Sequence, residues 1–467
     1  MMVDALDGVV WGDNMSKSST ALFAGDPSET GLDGVEVVPV QVKRAWMEFK
    51  VPIGLLRVGR QASSWGMGLL ANDGNGFDDA FGENKYGSTY DRVLFATRPI
   101  TVATTVANMV DGKTKVRDIP LITAFGVDRL VEDPLLQYYG YGCDKEDPND
   151  DARCEPTEDH SWTAERDPER RQDTWWVDTK DDVYELVYVV VYRGEDVKFS
   201  PKVTGDLTAG FYIVNRMQAE TDSNVLIVDA YAKAEVSNIY FEGELLTIQG
   251  ETRAITLSGT DAEDPLYKNA EIWGYVVRGG YQDQKYSFLM EHGLASGDNQ
   301  PTDAKFSGRP LHPDYNVGLL FYEEIMSRVT ADAWGTSARG LWSNGGVYNS
   351  RYIFPNIRYR PLPNWEIVGA YLMAWPDQPD GSKILCKEGD DVECAAYTAS
   401  SDYLAWEVDL AVKHKFADHI NFTVEGGFAH VTDRIPLTTS GLAYKTNDDG
   451  KPYGEYWTIQ SRIAYEF

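Results

Sequence analysis

Along this 467-residue chain, very short turns alternate with long polar connections, and the stretches between them carry apolar residues at every second position. Apolar residues with a period of two predict β-strands, and a tight turn can join only antiparallel neighbours. The short turns lie at 51–54, 235–238, 282–284, 361–364 and 416–419. The long segments lie at 12–35, 62–88, 132–182, 250–269, 295–347, 376–402 and 432–454. The chain is therefore predicted to be all-β, an antiparallel up-and-down sheet in which one end carries the tight turns.

The individual strands present an apolar face and a polar face. In Tyr403–Lys415, Trp406, Val408 and Leu410 share one face with other apolar residues, and Glu407 and Asp409 lie on the other. A charge on the lipid face of a membrane strand costs about 2–4 kcal/mol at the bilayer midplane. That cost accounts for charges that keep to one face, so the pattern favours a strand with lipid on one side and water on the other.

The composition agrees with a barrel that crosses a membrane by strands. Aromatic residues make up 12% of the chain, with 27 Tyr and 13 Trp, and such barrels carry aromatic girdles at both interfaces. No run of 18 apolar residues exists, so the sequence offers no membrane-spanning helix. We predict one domain over 1–467, a transmembrane barrel of about 16 strands beginning with Val3–Trp11. Pro99–Pro120 is ambiguous, because an extra hairpin there would raise the count to about 18.

Four stretches carry a resemblance to a known group of proteins. Pro52–Leu70, Gly293–Asp303, His312–Glu324 and the terminal strand ending in Phe467 resemble Gram-negative outer-membrane porins and alginate-export-type barrels. The resemblance implies short periplasmic turns, long extracellular loops and a passive conduit for ions, sugars or polysaccharide. The net charge of −30 departs from the surplus of Arg and Lys expected for polyanion export, and it argues against nucleic-acid binding.

The long connection 295–347 is predicted to fold inward and form a constriction. A loop of this length with an apolar segment is expected to pack against other residues and not to lie free in water. The alternative is that Val317–Met326 is another strand. Val183–Tyr192 is apolar on both faces, so we expect an inward loop to cover its inner side. The Asn/Asp/Gly-rich stretch Ala71–Asn84 lacks the Lys-Ser/Thr of a phosphate loop and is predicted to be a surface loop.

Eight charged residues fall on the predicted inner face and are candidates for lining the pore. Opposed charges across a pore create a transverse field that orients polar solutes. The alternative is that they pair with one another and fill the interior. The candidates are Glu48, Arg57, Arg92, Arg358, Glu407, Asp409, Glu425 and Arg462.

Four cysteines bracket two acidic stretches. Cys143 and Cys154 flank 144–151, and Cys386 and Cys394 flank 388–393. The spacing does not suit zinc, and we predict two local disulfides, which require an oxidising compartment. The acidic stretches are either solvated surface or a loop site for calcium; neither matches the EF-hand pattern. We predict no other cofactor and no metal site.

No motif of a known catalytic site occurs, and the chain is predicted not to be an enzyme. The leading hypothesis is a diffusion channel of the bacterial outer membrane. The alternatives are a closed barrel that acts as a scaffold or surface-interaction protein, a polysaccharide-export conduit, and a secreted all-β carbohydrate-binding protein. Expected partners are outer-membrane lipid, lipopolysaccharide, small polar solutes or ions and other envelope proteins. Met1–Asp4 carries no export signal, so we expect a mature form or a start downstream of the natural one.

Overall fold

A computed structural model of the chain describes most of the strands and part of the connections. The described residues are 2–5, 40–75, 80–82, 84, 87–111, 119–132, 183–219, 223–252, 268–300, 305–330, 343–379, 384–387, 389–390, 398–416 and 419–465.

Nineteen strand segments join into one sheet, in which the long strands pair antiparallel with their neighbours along the chain. One α-helix, α1 (Pro99–Asp111), and a π-helix at Phe321–Met326 are also described. The strands are β1 (Met2–Ala5), β2 (Val40–Val51), β3 (Gly54–Ala62), β4 (Thr89–Thr97), β5 (Leu121–Glu132), β6 (Val183–Ser200), β7 (Val203–Gln218), β8 (Ser223–Val236), β9 (Ile239–Thr252), β10 (Lys268–Gln282), β11 (Tyr286–Ala295), β12 (Lys305–Phe306), β13 (Ser350–Ile353), β14 (Asn356–Leu362), β15 (Trp365–Pro376), β16 (Ala405–Phe416), β17 (Ile420–Val431), β18 (Lys445–Thr446) and β19 (Pro452–Tyr465).

The expected range of 16 to 18 strands is confirmed for the described residues. β13 and β14 both pair with β11 and β15, so they form one interrupted strand, which leaves eighteen. Two of these, β12 and β18, have two residues each and lie within connections, and β12 pairs parallel with β10. Sixteen strands therefore make up the wall.

The tight turns gather at one end of the sheet, as the sequence predicts. Two or three residues join β2 to β3, β6 to β7, β8 to β9, β10 to β11 and β14 to β15. Proline begins three of these turns, at Pro52, Pro201 and Pro363, and Ser237 supplies a left-handed residue with φ of 55°. The other end carries most of the long connections, with one short exception between β7 and β8. The long connection between β4 and β5, which contains α1, lies at the tight-turn end.

The extra hairpin considered for Pro99–Pro120 is wrong, because Pro99–Asp111 is the helix α1. Proline suits the first helical position, where its missing N–H group costs no hydrogen bond. The hydroxyl groups of Thr104 and Thr105 bond to the carbonyl oxygens of Ile100 and Thr101 within the helix.

The sheet is inside-out compared with a soluble protein. On its outer face Val408, Leu410 and Phe125 are 48%, 58% and 54% exposed, whereas Glu407 and Asp128 on the other face are 0% and 1% exposed. Aromatic side chains group near both ends of the outer face: Tyr286 stacks on Tyr359 at the short-turn end (5.2 Å), and Trp406 on His430 at the other (5.7 Å). An apolar outer band between aromatic girdles is the arrangement of a β-barrel that spans a membrane.

Strands from all round the wall reach the same interior. Arg44 on β2 bonds to the Asp73 carbonyl oxygen, and Arg462 on β19 bonds to the Gly82 carbonyl oxygen at 3.4 Å. Glu244 on β9 and Glu407 on β16 bond to backbone groups of two segments that lie inside. We call residues 63–75 the first inward segment and residues 311–330 the second inward segment. The wall therefore encloses both.

The alternative that Val317–Met326 is a strand is wrong. Ile325 N–H donates to the Leu320 carbonyl oxygen at 2.9 Å, five residues back, which is the π-helical pattern. Phe321, Tyr322 and Met326 are at 0% exposure, whereas Glu324 on the opposite side of the turn is exposed. Burial of consecutive residues on one side of a helical turn differs from the residue-by-residue alternation that a strand requires.

Candidate functional site

The middle of the inner wall carries buried ion pairs. Arg92 on β4 donates to Asp128 on β5 (Nε to Oδ1, 2.8 Å), and their side chains are 7% and 0% exposed. Arg216 on β7 donates to Glu185 on β6 at 2.6 Å. Neighbouring strands hold these residues at facing positions, so each charge is neutralised across the sheet. Arg92 thus belongs to a filled part of the interior.

Glu48 and Arg57 are also paired, but in a more open place. They face each other on β2 and β3, with Arg57 Nη2 to Glu48 Oε2 at 2.8 Å. Each side chain is 37% exposed, so water reaches the pair. The alternative in which the candidate residues form ion pairs therefore applies to Arg57 and Glu48, which pair with each other, and to Arg92, which pairs with Asp128.

The other predicted residues lie on the inner face of β14, β16, β17 and β19. Arg358 and Glu425 are buried, at 4% exposure each. Glu425 accepts a hydrogen bond from Gln460 Nε2 at 2.8 Å, and Arg462 is half-buried. The structure thus places all eight candidates on the inner face, spread over several levels of the wall; whether they line an open pore stays a prediction.

The first inward segment is fixed to β8 and β9. Trp65 donates its indole N–H to Asp229 Oδ1 at 3.1 Å and stacks on Tyr212, with ring centroids 5.7 Å apart. The backbone N–H groups of Met67 and Leu69 both donate to the Glu244 carboxylate. Leu70 of this segment packs in a buried cluster with Val187 and Val191 of β6, which confirms that a loop covers the inner side of that strand.

The second inward segment is fixed to β16. Glu407 accepts three backbone N–H groups: those of Leu319 and Leu320 at Oε1 (2.6 and 2.8 Å) and that of Phe321 at Oε2 (2.7 Å). These donors precede or begin the π-helix, where N–H groups lack partners within the helix. The Glu407 carboxylate thus accepts hydrogen bonds from N–H groups that have no partner within the helix.

The two inward segments also contact each other. His312 N–H donates to the Leu69 carbonyl oxygen at 2.9 Å. Beyond the first inward segment, Gly87 N–H also donates to Asp314 Oδ2 of the second, at 2.6 Å. Met67 and Phe321 belong to one buried apolar cluster that also includes wall residues such as Leu372. The two segments therefore form a single packed unit against the inner wall.

The first inward segment and its anchors Asp229 and Glu244 are not among the features predicted from the sequence. The prediction of a surface loop at Ala71–Asn84 is wrong for its described residues Ala71, Asn72 and Phe81, which are 2%, 0% and 1% exposed. The available signal was Trp65–Leu70, a run of large apolar residues separated by glycines inside a connection predicted to be polar.

At the long-connection end, Asp433 ties two connections together. Ser400 donates its N–H and its hydroxyl to Asp433 Oδ2, each at 2.7 Å, and Ser401 N–H donates to Oδ1 at 3.1 Å. Partial burial would raise the pKa of Asp433, but the hydrogen bonds from Ser401 and Ser400 outweigh it and lower the pKa.

The cysteines and acidic stretches are only partly described. Cys386 is buried and disulfide-bonded. Cys143, Cys154 and Cys394 lie outside the described residues, so the two pairings stay predictions. The stretch 144–151 and most of 388–393, the predicted calcium candidates, also lie outside them.

Within the described ranges, no group of three or more His, Cys, Asp and Glu residues is arranged to hold a metal ion. In the same ranges, no helix has the length and apolarity needed to cross a membrane.

Comparison with known proteins finds similarity at the level of solved structures. No family model matches the sequence, and no curated protein matches it. OccK11 (OpdR) of Pseudomonas aeruginosa is 10% identical over 90% of this chain and 80% of its own, with a TM-score of 0.41. The outer membrane protein opdK of Pseudomonas aeruginosa is 10% identical over 90% and 79%, with a TM-score of 0.39. The NanC porin is 8% identical over 62% and 95%, with a TM-score of 0.24.

The outer membrane protein opdK and the NanC porin belong to the class of proteins that the sequence resembles. Their TM-scores lie below 0.5, so the superpositions are loose. The fold therefore rests on the strand pairing and the inside-out burial of this chain.

Proposed function

We propose that this protein is a channel of the bacterial outer membrane through which ions or small polar solutes diffuse passively. The observation that supports it best is the inversion of polarity between the two faces of the wall. Charged side chains such as Arg92, Asp128 and Glu185 are enclosed, while Leu410 and Phe125 are exposed outside. A polar interior is the arrangement of barrels that hold a water-filled channel, and the Glu48–Arg57 pair on the inner face is open to water.

The second inward segment and the rest of 295–347 are proposed to narrow this channel. The described parts of the connection lie against β16 through Glu407 and against the first inward segment through His312. Water-exposed wall residues such as Arg57 and Glu48 are proposed to line the wider part. A constriction of this kind selects solutes by size, while the wall charges act on their dipoles.

The same proposal implies how the barrel is oriented in the membrane and which molecules contact it. The tight turns would face the periplasm, and the long connections, with the predicted disulfides and calcium candidates, would face the exterior. Lipid and lipopolysaccharide would contact the apolar outer band, and other envelope proteins the long connections. No catalytic step is assigned to the chain.

A closed barrel that serves as a scaffold or surface-interaction protein is the second candidate. The observation that favours it is the continuous apolar cluster that joins Met67 and Phe321 of the inward segments to Leu372 of the wall. If this packing closes the lumen at all times, the long connections become the functional surface.

Conductance in planar lipid bilayers separates the two candidates. The wild-type protein, folded in detergent, is expected to conduct ions, and replacing residues 311–330 by a short Gly/Ser linker should increase the single-channel conductance. The retention of folded mobility in an unheated gel controls for misfolding of the variant. Folded wild-type protein and folded variant that both fail to conduct would eliminate the channel and leave the closed barrel.

A further inference from the structure

The helix α1, in the connection between β4 and β5, has one polar side and one apolar side. Threonine and asparagine recur on one side at the spacing of helical turns, while alanine, valine and methionine occupy the other. From Pro99 to Val110 the sequence has no charged residue. We call Thr101, Thr104, Thr105 and Asn108 the polar stripe, and Ala103, Val106, Ala107, Met109 and Val110 the apolar stripe.

The apolar stripe is the exposed side of α1. Val106, Met109 and Val110 are 54%, 77% and 81% exposed, and both alanines of the stripe are exposed as well. All four residues of the polar stripe are half-buried. A helix on the surface of a soluble protein has the opposite arrangement, with its apolar side covered by the core. The helix therefore shows the same reversal of polarity as the wall of the barrel.

Hydrogen bonds within the helix allow the polar stripe to be half-buried. The Thr104 hydroxyl donates to the Ile100 carbonyl oxygen at 2.9 Å, and the Thr105 hydroxyl donates to the Thr101 carbonyl oxygen at 2.7 Å. A threonine whose hydroxyl bonds back to the preceding turn does not depend on water for a partner. The polar side of α1 can thus face away from water while the apolar side is exposed.

The helix begins where exposed apolar residues of the wall reach the tight-turn end. β4 ends at Thr97, whose hydroxyl donates to the carbonyl oxygen of Ile53 in the turn between β2 and β3. Ile53 is 54% exposed, and Ile239 and Phe416 at the same end are 59% and 50% exposed. The apolar outer surface therefore extends to the level at which α1 starts, so the lipid that covers this surface is also the nearest apolar medium for the helix.

The charges that flank α1 suit the phosphate groups of phospholipids. The chain as a whole has a net charge of −30, but within 98–117 Asp111 is the one acidic residue. The basic residues of this stretch are Arg98, Lys113, Lys115 and Arg117, of which the last three lie outside the described residues and count here as sequence only. Basic residues beside an amphipathic helix attract a bilayer surface, and an uncharged apolar stripe can enter it without burying a charge.

We propose that α1 is an interfacial helix that inserts its apolar stripe into the bilayer leaflet at the tight-turn end of the barrel and binds phospholipid there. The stripe lies at the boundary between headgroups and acyl chains, and the exposed Arg98 lies near the headgroup phosphates. The connection between β4 and β5 is thereby anchored to the membrane surface. This inference rests on the proposed membrane-spanning barrel and does not require conduction.

Spin labels on single introduced cysteines test the insertion. The full-length protein is folded into vesicles of phosphatidylcholine and phosphatidylglycerol and labelled at Val110→Cys, at Leu410→Cys as the lipid reference, or at Asp448→Cys as the water reference. Power-saturation EPR measures how often each label collides with molecular oxygen, which concentrates among acyl chains, and with a water-soluble nickel chelate. Val110→Cys should have a ratio of oxygen to nickel collisions several-fold above that of Asp448→Cys and close to that of Leu410→Cys. The unsubstituted protein, carried through the same labelling, gives the background from its native cysteines.

Asn108→Cys, on the polar stripe of the same helix, is the matched control and should have a clearly lower oxygen accessibility than Val110→Cys. If Val110→Cys matches the water reference while Leu410→Cys reports lipid, the inference fails and the barrel stands. A Val110→Cys label shielded from both oxygen and nickel would show that protein, such as a second copy of this chain, covers the stripe, and this also overturns the inference. A lipid signal at Val110→Cys in protein that does not conduct keeps the inference and eliminates the channel. If Leu410→Cys reports water, the membrane-spanning wall and the inference fail together.

Discussion

At the scale of single residues, Gly318 lets the second inward segment approach the wall. Its φ is 78°, a conformation that L side chains rarely adopt, and a Cβ atom there would lie 2.9 Å from Glu407 Oε1. Backbone strain and close approach thus coincide at the point where Glu407 binds the segment. The glycine serves both the turn and the anchor.

Gly318→Ala is expected to destabilise the protein through both effects. The left-handed conformation alone costs about 1–2 kcal/mol for a residue with a side chain. Displacement of Glu407 adds the cost of buried N–H groups left unpaired, about 1–3 kcal/mol each. The measurement is the free energy of unfolding in denaturant, with the protein folded in detergent. Gly450→Ala is the matched control, since φ there is 74° and a Cβ would meet nothing within 4 Å; equal losses in the two variants would contradict the role of Gly318.

Two arginines on neighbouring strands are expected to contribute differently to the free energy of unfolding. Arg92 is enclosed with Asp128, so Arg92→Ala would leave a buried carboxylate without its partner and should cost about 3–5 kcal/mol. Arg57 faces water together with Glu48, so Arg57→Ala should cost about 0–1 kcal/mol. Denaturant unfolding of the two variants in the same detergent checks the contrast, and a larger loss for Arg57→Ala would refute this assignment of burial.

At the scale of elements, the long connections are tied to one another as well as to the strands. Asp433, after β17, binds the backbone of Ser400 and Ser401, before β16. Arg434 donates to Asp390 Oδ2 at 2.9 Å in the same region. These contacts join the β15–β16 and β17–β19 connections into one cap over that side of the barrel.

The Asp433 tie should weaken in acid. Because the pKa of Asp433 is lowered in the folded protein, its contribution is present above the unfolded pKa of about 3.9 and is lost as pH falls through the lower folded pKa. Hydrogen exchange at the Ser400 and Ser401 amides, corrected for the intrinsic rate, should lose protection over that acidic range. Asp433→Asn should have weaker protection that does not change there; the same acid dependence in both proteins would count against the tie.

At the scale of the whole molecule, the polarity is the reverse of that of a soluble fold: the outer surface of the wall is apolar and the interior is charged. Outer residues such as Leu410 and Phe125 are exposed, and the long connections carry much of the acidic surplus of the chain. An apolar band of this kind is stable only when lipid or detergent covers it. The arrangement therefore requires a membrane for the protein to be stable.

Leu410→Arg tests that requirement. Leu410 lies in the middle of β16 and is 58% exposed, so an arginine there should cost about 2–4 kcal/mol in a bilayer. Ile239→Arg is the control, because Ile239 is 59% exposed but begins β9 beside a tight turn, where the cost should fall to about 0–1 kcal/mol. Folding into lipid vesicles, followed by denaturant titration, measures both. Equal costs at the two positions would show that no lipid covers Leu410.

The sequence by itself determined the strands, their faces and the segregation of turns from long connections. Leu410 outward and Glu407 inward follow from a period of two, and the tight turns follow from residues such as Pro52 and Pro363, because both depend on neighbours along the chain. Only the tertiary structure decided which groups meet inside the barrel. Met67 and Glu244 are 177 residues apart, and Leu319 and Glu407 are 88 apart. Contacts at such separations depend on how the wall closes round the inward segments, and no local pattern encodes that.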